Sequence, residues 1–68
     1  MNILFLYGNN KALRLAEWLE KQGNIVYRVS IDIDSEFIKQ KSIELIVSFT
    51  YRHYISNIIV NMLNGNAV

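Results

Sequence analysis

The sequence predicts an α/β fold, a three-stranded parallel sheet in the order 2-1-3 with three helices. Short apolar runs alternate with amphipathic stretches, strand then helix three times over, and that alternation calls for parallel pairing with right-handed crossovers. The first run, Ile3-Leu4-Phe5-Leu6-Tyr7, is apolar at every position, as in a strand covered on both faces. Strand one is therefore central, and strands two and three must flank it.

Each element follows in turn. After strand one, Ala12, Leu15, Ala16 and Leu19 recur at helical spacing, with Arg14, Glu17 and Lys21 on the opposite side. Asn9 or Asn10 caps this helix, Gly23 stops it, and Glu17 and Lys21 are spaced to pair at i, i+4. Ile25-Val26-Tyr27-Arg28-Val29 reads as a second strand, and the charge of Arg28 puts it at a sheet edge. The polar loop Ser30 to Asp34 leads into a helix around Ser35 to Lys41 that buries Phe37 and Ile38, with Asp34 as its cap. Glu44 to Phe49 gives strand three. Ile55, Ile58, Ile59, Met62 and Leu63 then form the last helical stripe, capped by Ser56 and stopped by Gly65. Asn64-Gly65-Asn66-Ala67-Val68 reads as that stop followed by the first residues of another strand, so the chain is expected to be one partial domain, residues 1 to 68.

Composition narrows the function classes. Sixty-eight residues make one domain at most, and a chain this short buries only about 60% of its unfolded surface. The absence of cysteine removes disulfides, zinc-thiolate sites and thiol nucleophiles. The net charge is +1, and Lys11, Arg14, Lys21, Arg28, Lys39, Lys41 and Arg52 are scattered, unlike a nucleic-acid footprint. No apolar run approaches the roughly 20 residues that cross a bilayer, and the start lacks a basic region, so a cytoplasmic protein is expected. With 51% of residues apolar, the surface has more to hide than so short a chain can cover, which predicts a partner, a second copy or a missing remainder of the chain.

In the order 2-1-3 the topological switch lies between strands one and three, and ligands bind outside the carboxyl ends of the strands at such a switch. The loops facing it are Tyr7 to Lys11 and Phe49 to Tyr54. Gly8-Asn9-Asn10 could hold an anion at a helix start, but it matches neither dinucleotide nor P-loop fingerprints, and a tight turn with an asparagine cap is the better account of it. Asp32 and Asp34 have no further ligands near them in sequence, so no metal site is expected; they read as a helix cap with a solvated neighbour. His53 is the only histidine, which excludes a histidine pair on a metal. It either meets a ligand or packs on the neighbouring tyrosines. A phosphorelay receiver would share the strand order, but the ends of strands one and three lack its carboxylates.

Ile46-Val47-Ser48-Phe49-Thr50-Tyr51-Arg52-His53-Tyr54-Ile55 and on to Ile59, taken with Met1-Asn2-Ile3-Leu4-Phe5-Leu6 and Ala16-Glu17-Trp18-Leu19, resembles the amino-terminal region of the folate-dependent formyltransferases, most nearly those acting on nucleotide sugars. The resemblance implies the first half of a Rossmann-like domain. It also implies transfer of a formyl group from 10-formyltetrahydrofolate to the amine of a nucleotide-linked amino sugar. It places Ser48, Phe49, Tyr51, Arg52, His53 and Tyr54 against the cofactor, held largely through backbone groups, and turns Gly8, Asn9 and Asn10 toward the acceptor. Where relatives often begin the next helix with proline, this chain has Ser56-Asn57.

The family's catalytic Asn-x-His, its Leu-Pro segment and its later aspartate do not occur in these 68 residues. The asparagine and histidine stabilise the oxyanion and the aspartate assists proton transfer, so the chain alone is expected to be inactive, with no catalytic residue of its own. The alternative is a small non-enzymatic α/β module that acts by association. In either case a homo-oligomer is expected, through a bare outer edge of strand three or through the last helix.

Overall fold

A computed structural model describes residues 1–67; Val68, read above as part of a further strand, lies outside the described residues. The elements are β1 (Asn2–Tyr7), a 3₁₀ turn (Asn10–Ala12), α1 (Leu13–Lys21), β2 (Ile25–Val29), α2 (Ser35–Gln40), β3 (Leu45–Phe49) and α3 (Asn57–Met62). The sheet is parallel throughout with the order β2-β1-β3, and Phe5 lies opposite both Arg28 and Val47. The expected class and strand order are both found.

The continuous apolar run of β1 has the burial it requires: Ile3, Leu4, Phe5 and Leu6 are all withdrawn from water. Leu4 and Leu6 join Ile46 of β3 on one face and pack with Ile38 of α2 and with Ile59 and Leu63 of α3. Phe5 turns to the other face, against Ala12 and Ala16. Each such fully buried large side chain contributes about 1.5–3 kcal/mol, so the stability of this small sheet is concentrated along one strand.

The cap residues act as their types predict. Asn9 Oδ1 accepts from the Lys11 N–H at 2.9 Å, and Asp34 Oδ1 from the Phe37 N–H at 2.9 Å. Ser56 Oγ accepts more loosely from the Ile59 N–H at 3.4 Å. Gly23, at φ +91°, ends α1 in the left-handed conformation. The other two helices end the same way, one on a serine that sequence does not flag and one on the asparagine of the Asn64-Gly65 stop. Ser42 (φ 50°) follows α2, where Ile43 N–H reaches back to the Ile38 carbonyl at 3.1 Å, and Asn64 (φ 54°) follows α3, where Gly65 N–H reaches Val60 at 3.0 Å. The stop of α3 is thus Asn64, with Gly65 one residue beyond.

Three expectations need correction. Leu15 and Ile58 belong to their apolar stripes in spacing, yet both are exposed, Ile58 by 69%. Each stripe is wider than the strip of sheet its short helix covers, and on α1 the half-buried Leu13 packs into the core instead. The ion pair of α1 is Glu20 with Arg28 on the edge strand, not Glu17 with Lys21. Both partners are solvent-exposed, so the pair adds little. The outer edge of β3 is not bare: Ile46 N–H donates to the Asn66 carbonyl at 3.0 Å, and Ile46 forms a parallel bridge with Ala67. No described helix is long and apolar enough to cross a membrane.

Candidate functional site

All three strands point the same way, so their carboxyl ends and the loops that follow share one edge of the sheet. The two loops picked from sequence meet there. Gly8 N–H points at the end of β3, 3.2 Å from Thr50 Oγ1 and 3.4 Å from the Phe49 carbonyl, while Thr50 Oγ1 donates to that same carbonyl at 2.6 Å. Thr50 sits at φ 58°. A side chain on Gly8 would run into the Thr50 carbonyl oxygen, with the carbonyl carbon at 3.0 Å and Arg52 Cγ at 3.4 Å. The glycine is therefore required by the close approach of two backbones.

A third loop, between β2 and α2, completes the edge. The Tyr51 hydroxyl donates to the Ile31 carbonyl at 2.7 Å. His53 Nδ1 lies 3.3 Å from Asp32 Oδ1, with the two side chains 42% and 78% exposed. The rings of Tyr51 and His53 are 5.4 Å apart and tilted at 55°. Burial, and secondarily the Asp32 carboxylate, push the Tyr51 phenol above its ordinary value of 10.0, so it remains a hydrogen-bond donor at neutral pH. His53 thus packs on a tyrosine, as one of the two sequence readings held. Asp32 is solvated beside the Asp34 cap, as read from sequence, and it also lies within reach of His53, which the sequence did not show. Twenty-one positions separate the pair, and no local pattern could have shown it.

Of the remaining sequence-derived residues, Ser48 and Phe49 end β3 opposite Leu6 and Tyr7, with Ser48 half-buried and Phe49 52% exposed. Arg52 and Tyr54 are exposed, as are Asn9, whose side-chain oxygen is engaged in its own cap, and Asn10. Among the described residues, no main-chain N–H or carbonyl of Tyr51, Arg52, His53 or Tyr54 has a protein hydrogen-bond partner. Backbone polar groups require partners, so this loop offers a row of donors and acceptors to water or to a flat polar ring. A cavity of about 330 Å³ lies beside it, lined by Val29, Ile31, Asp32, Ile33, Asp34 and Phe37. Its walls are apolar and its charges are carboxylates. Among the described residues no cluster could hold a metal ion.

Neither the protein-family models nor the curated proteins contain a match to this sequence. Among solved structures, the chain is similar to the formyltransferase PseJ from Anoxybacillus kamchatkensis, crystallised in complex with UDP-4,6-dideoxy-4-formamido-L-AltNAc and tetrahydrofolate. The TM-score is 0.77 and the identity 27%, over 98% of this chain. The likeness lies in both fold and sequence. This chain spans 34% of the PseJ chain. The likeness noted for the stretch from Ile46 to Ile59 therefore extends over nearly all of this chain.

Proposed function

We propose that the formyltransferase-like chain forms the cofactor side of an enzyme that moves a formyl group from 10-formyltetrahydrofolate to the amine of a nucleotide-linked amino sugar. The observation that carries this reading is the loop from Tyr51 to Tyr54, whose main-chain groups are free beside aromatic rings at the switch point. A pterin presents a planar edge of alternating donors and acceptors, which such a loop can match. The likeness to a protein holding tetrahydrofolate and a formylated nucleotide sugar supports the same choice. In this reading Ser48, Phe49, Tyr51, Arg52, His53 and Tyr54 lie along the folate, and Gly8, Asn9 and Asn10 face the acceptor.

In the transfer, the amine nitrogen bonds to the formyl carbon, the bond from that carbon to the folate nitrogen breaks, and the amine's proton ends on the released tetrahydrofolate. The 68 residues supply orientation and no oxyanion donor of the Asn-x-His kind. A second reading, a small cytoplasmic module acting through self-association, draws on the exposed Trp18, Ile25, Phe49, Tyr54 and Ile58. Titrating tetrahydrofolate into the chain and following the backbone amides by NMR separates the two. Shifts concentrated in residues 48–54 support the cofactor reading, and none up to millimolar ligand, together with a stable oligomer, supports the module.

A further inference from the structure

We infer that the loop between β2 and α2 is a positioning element, in which Asp32 and the main-chain carbonyl of Ile31 hold Thr50 to Tyr54 in the shape that meets the ligand. This rests on the reading of that segment as the folate contact. The segment is anchored at one end, where Thr50 is pinned against Gly8, and at the other, where Ser56 caps α3. Between those points its own main chain makes no hydrogen bond within the protein. The fixed points are the side chains of Tyr51 and His53, two residues apart and reaching the same side. They engage two consecutive residues of a different crossover, Ile31 at 2.7 Å and Asp32 at 3.3 Å.

Neither contact is strong. The pair is well exposed and screened by water, and a single neutral hydrogen bond contributes little net stability. Their effect lies in being adjacent: together they fix both the position of the loop and its rotation. A loop already ordered in the free protein loses less entropy when a ligand engages its backbone, so Asp32 and the Ile31 carbonyl act on affinity through Tyr51 and His53, the residues they hold. Ile31 and Asp32 also line the neighbouring cavity, so an occupant of that cavity would be sensed by the same two residues.

The test compares Asp32→Ala, Asp32→Asn and Tyr51→Phe in the chain, with ¹⁵N relaxation on the amides of residues 50–54 and tetrahydrofolate titration. Tyr51→Phe keeps the ring and removes only the hydroxyl; Asp32→Asn keeps an oxygen for His53. The expected result is increased fast motion of the loop in Asp32→Ala and Tyr51→Phe, substantial recovery in Asp32→Asn, and unchanged amide positions for Ile3 to Leu6. Tetrahydrofolate affinity should fall about twofold to fivefold in Asp32→Ala and up to about tenfold in Tyr51→Phe. Loop motion identical to the parent in both variants overturns the inference, whatever folate does. A loosened loop with no change in folate binding upholds the positioning and removes the folate reading, so the two fail separately.

Discussion

Thr50 occupies the space that a side chain on Gly8 would need, although the two residues stand 42 positions apart. The Gly8 N–H donates into the same turn, so the end of β1 and the end of β3 are joined by a hydrogen bond and by a steric fit that only glycine allows. Because β1 is the central strand, this contact places the loop after β3 relative to the core.

Gly8→Ala should therefore destabilise the chain by about 1–3 kcal/mol, the usual cost of forcing extra atoms into a filled site. In a domain of this size each kcal/mol lowers the melting temperature by about 4–8 °C. Gly23→Ala is the control. Its new methyl meets nothing within 4 Å, and its cost, about 1 kcal/mol, comes only from the positive φ. Calorimetry gives the two melting temperatures. Amide shifts at residues 49–52 should move in Gly8→Ala and stay in place in Gly23→Ala, and an undisturbed loop in the first variant would contradict the steric account.

Catalytic competence is the second matter. The chain contains no Asn-x-His, the pair that the resemblance assigns to the oxyanion. Mixed with 10-formyltetrahydrofolate and nucleotide-linked amino sugars, the 68 residues should give no formylated product above a protein-free control by mass spectrometry. Product above that control would overturn the expectation that these residues lack the catalytic set.

A third expectation concerns pH. Burial first, and the Asp32 charge second, hold the Tyr51 phenol above its ordinary 10.0. The folded chain therefore keeps this proton more tightly than the unfolded chain. The stability it contributes is whole below the unfolded value and is lost as pH rises through the folded one. The stability difference between the chain and Tyr51→Phe should stay constant from about pH 7 to about pH 9 and shrink above 10. Denaturant titrations of both proteins across that range check it. A difference that persists undiminished in strong alkali would show that the Tyr51 hydroxyl is not held as described.

Much of this architecture was legible because its signals are local. The unbroken apolar run of Ile3 to Tyr7 gave the central strand, and from it the order of all three. Asn9, Asp34 and Ser56 announced their helices through side chains that bond two or three residues ahead. What stayed hidden depends on distance or on neighbours. Asp32 and His53 come together only because two crossovers return to one edge of the sheet. Leu15 and Ile58 repeat at helical spacing, and nothing in that spacing says how much sheet lies beneath them. Gly8 read as a turn or an anion site, whereas its tightest constraint is the carbonyl of a residue from another loop. The family resemblance reached Tyr51 and His53 but not the residues that hold them.

The last prediction follows from the edge of β3. A strand edge with open N–H and C=O groups invites pairing with another chain, and proteins cover such edges where they can. Here residues Asn66 and Ala67 lie alongside Ile46, and the Asn66 carbonyl takes the outward Ile46 N–H at 3.0 Å. Ile46 is itself wholly buried, so the pairing sits directly over the core. Removing residues 66–68 should leave that N–H open on a strand that ends in the exposed Phe49, and association through this edge should then increase. By sedimentation velocity at a matched concentration near 1 millimolar, roughly the range in which weak edge pairing is populated, the shortened chain should show a larger dimer or aggregate fraction than the 68-residue chain. Asn66→Ala, which keeps the main-chain carbonyl, should behave like the parent. If the shortened chain remains folded and no more associated than the parent, the segment does not protect the edge. The exposed side chains of α1 and α3, Trp18 and Ile58 first among them, would then be the surfaces to test for any association of the intact chain.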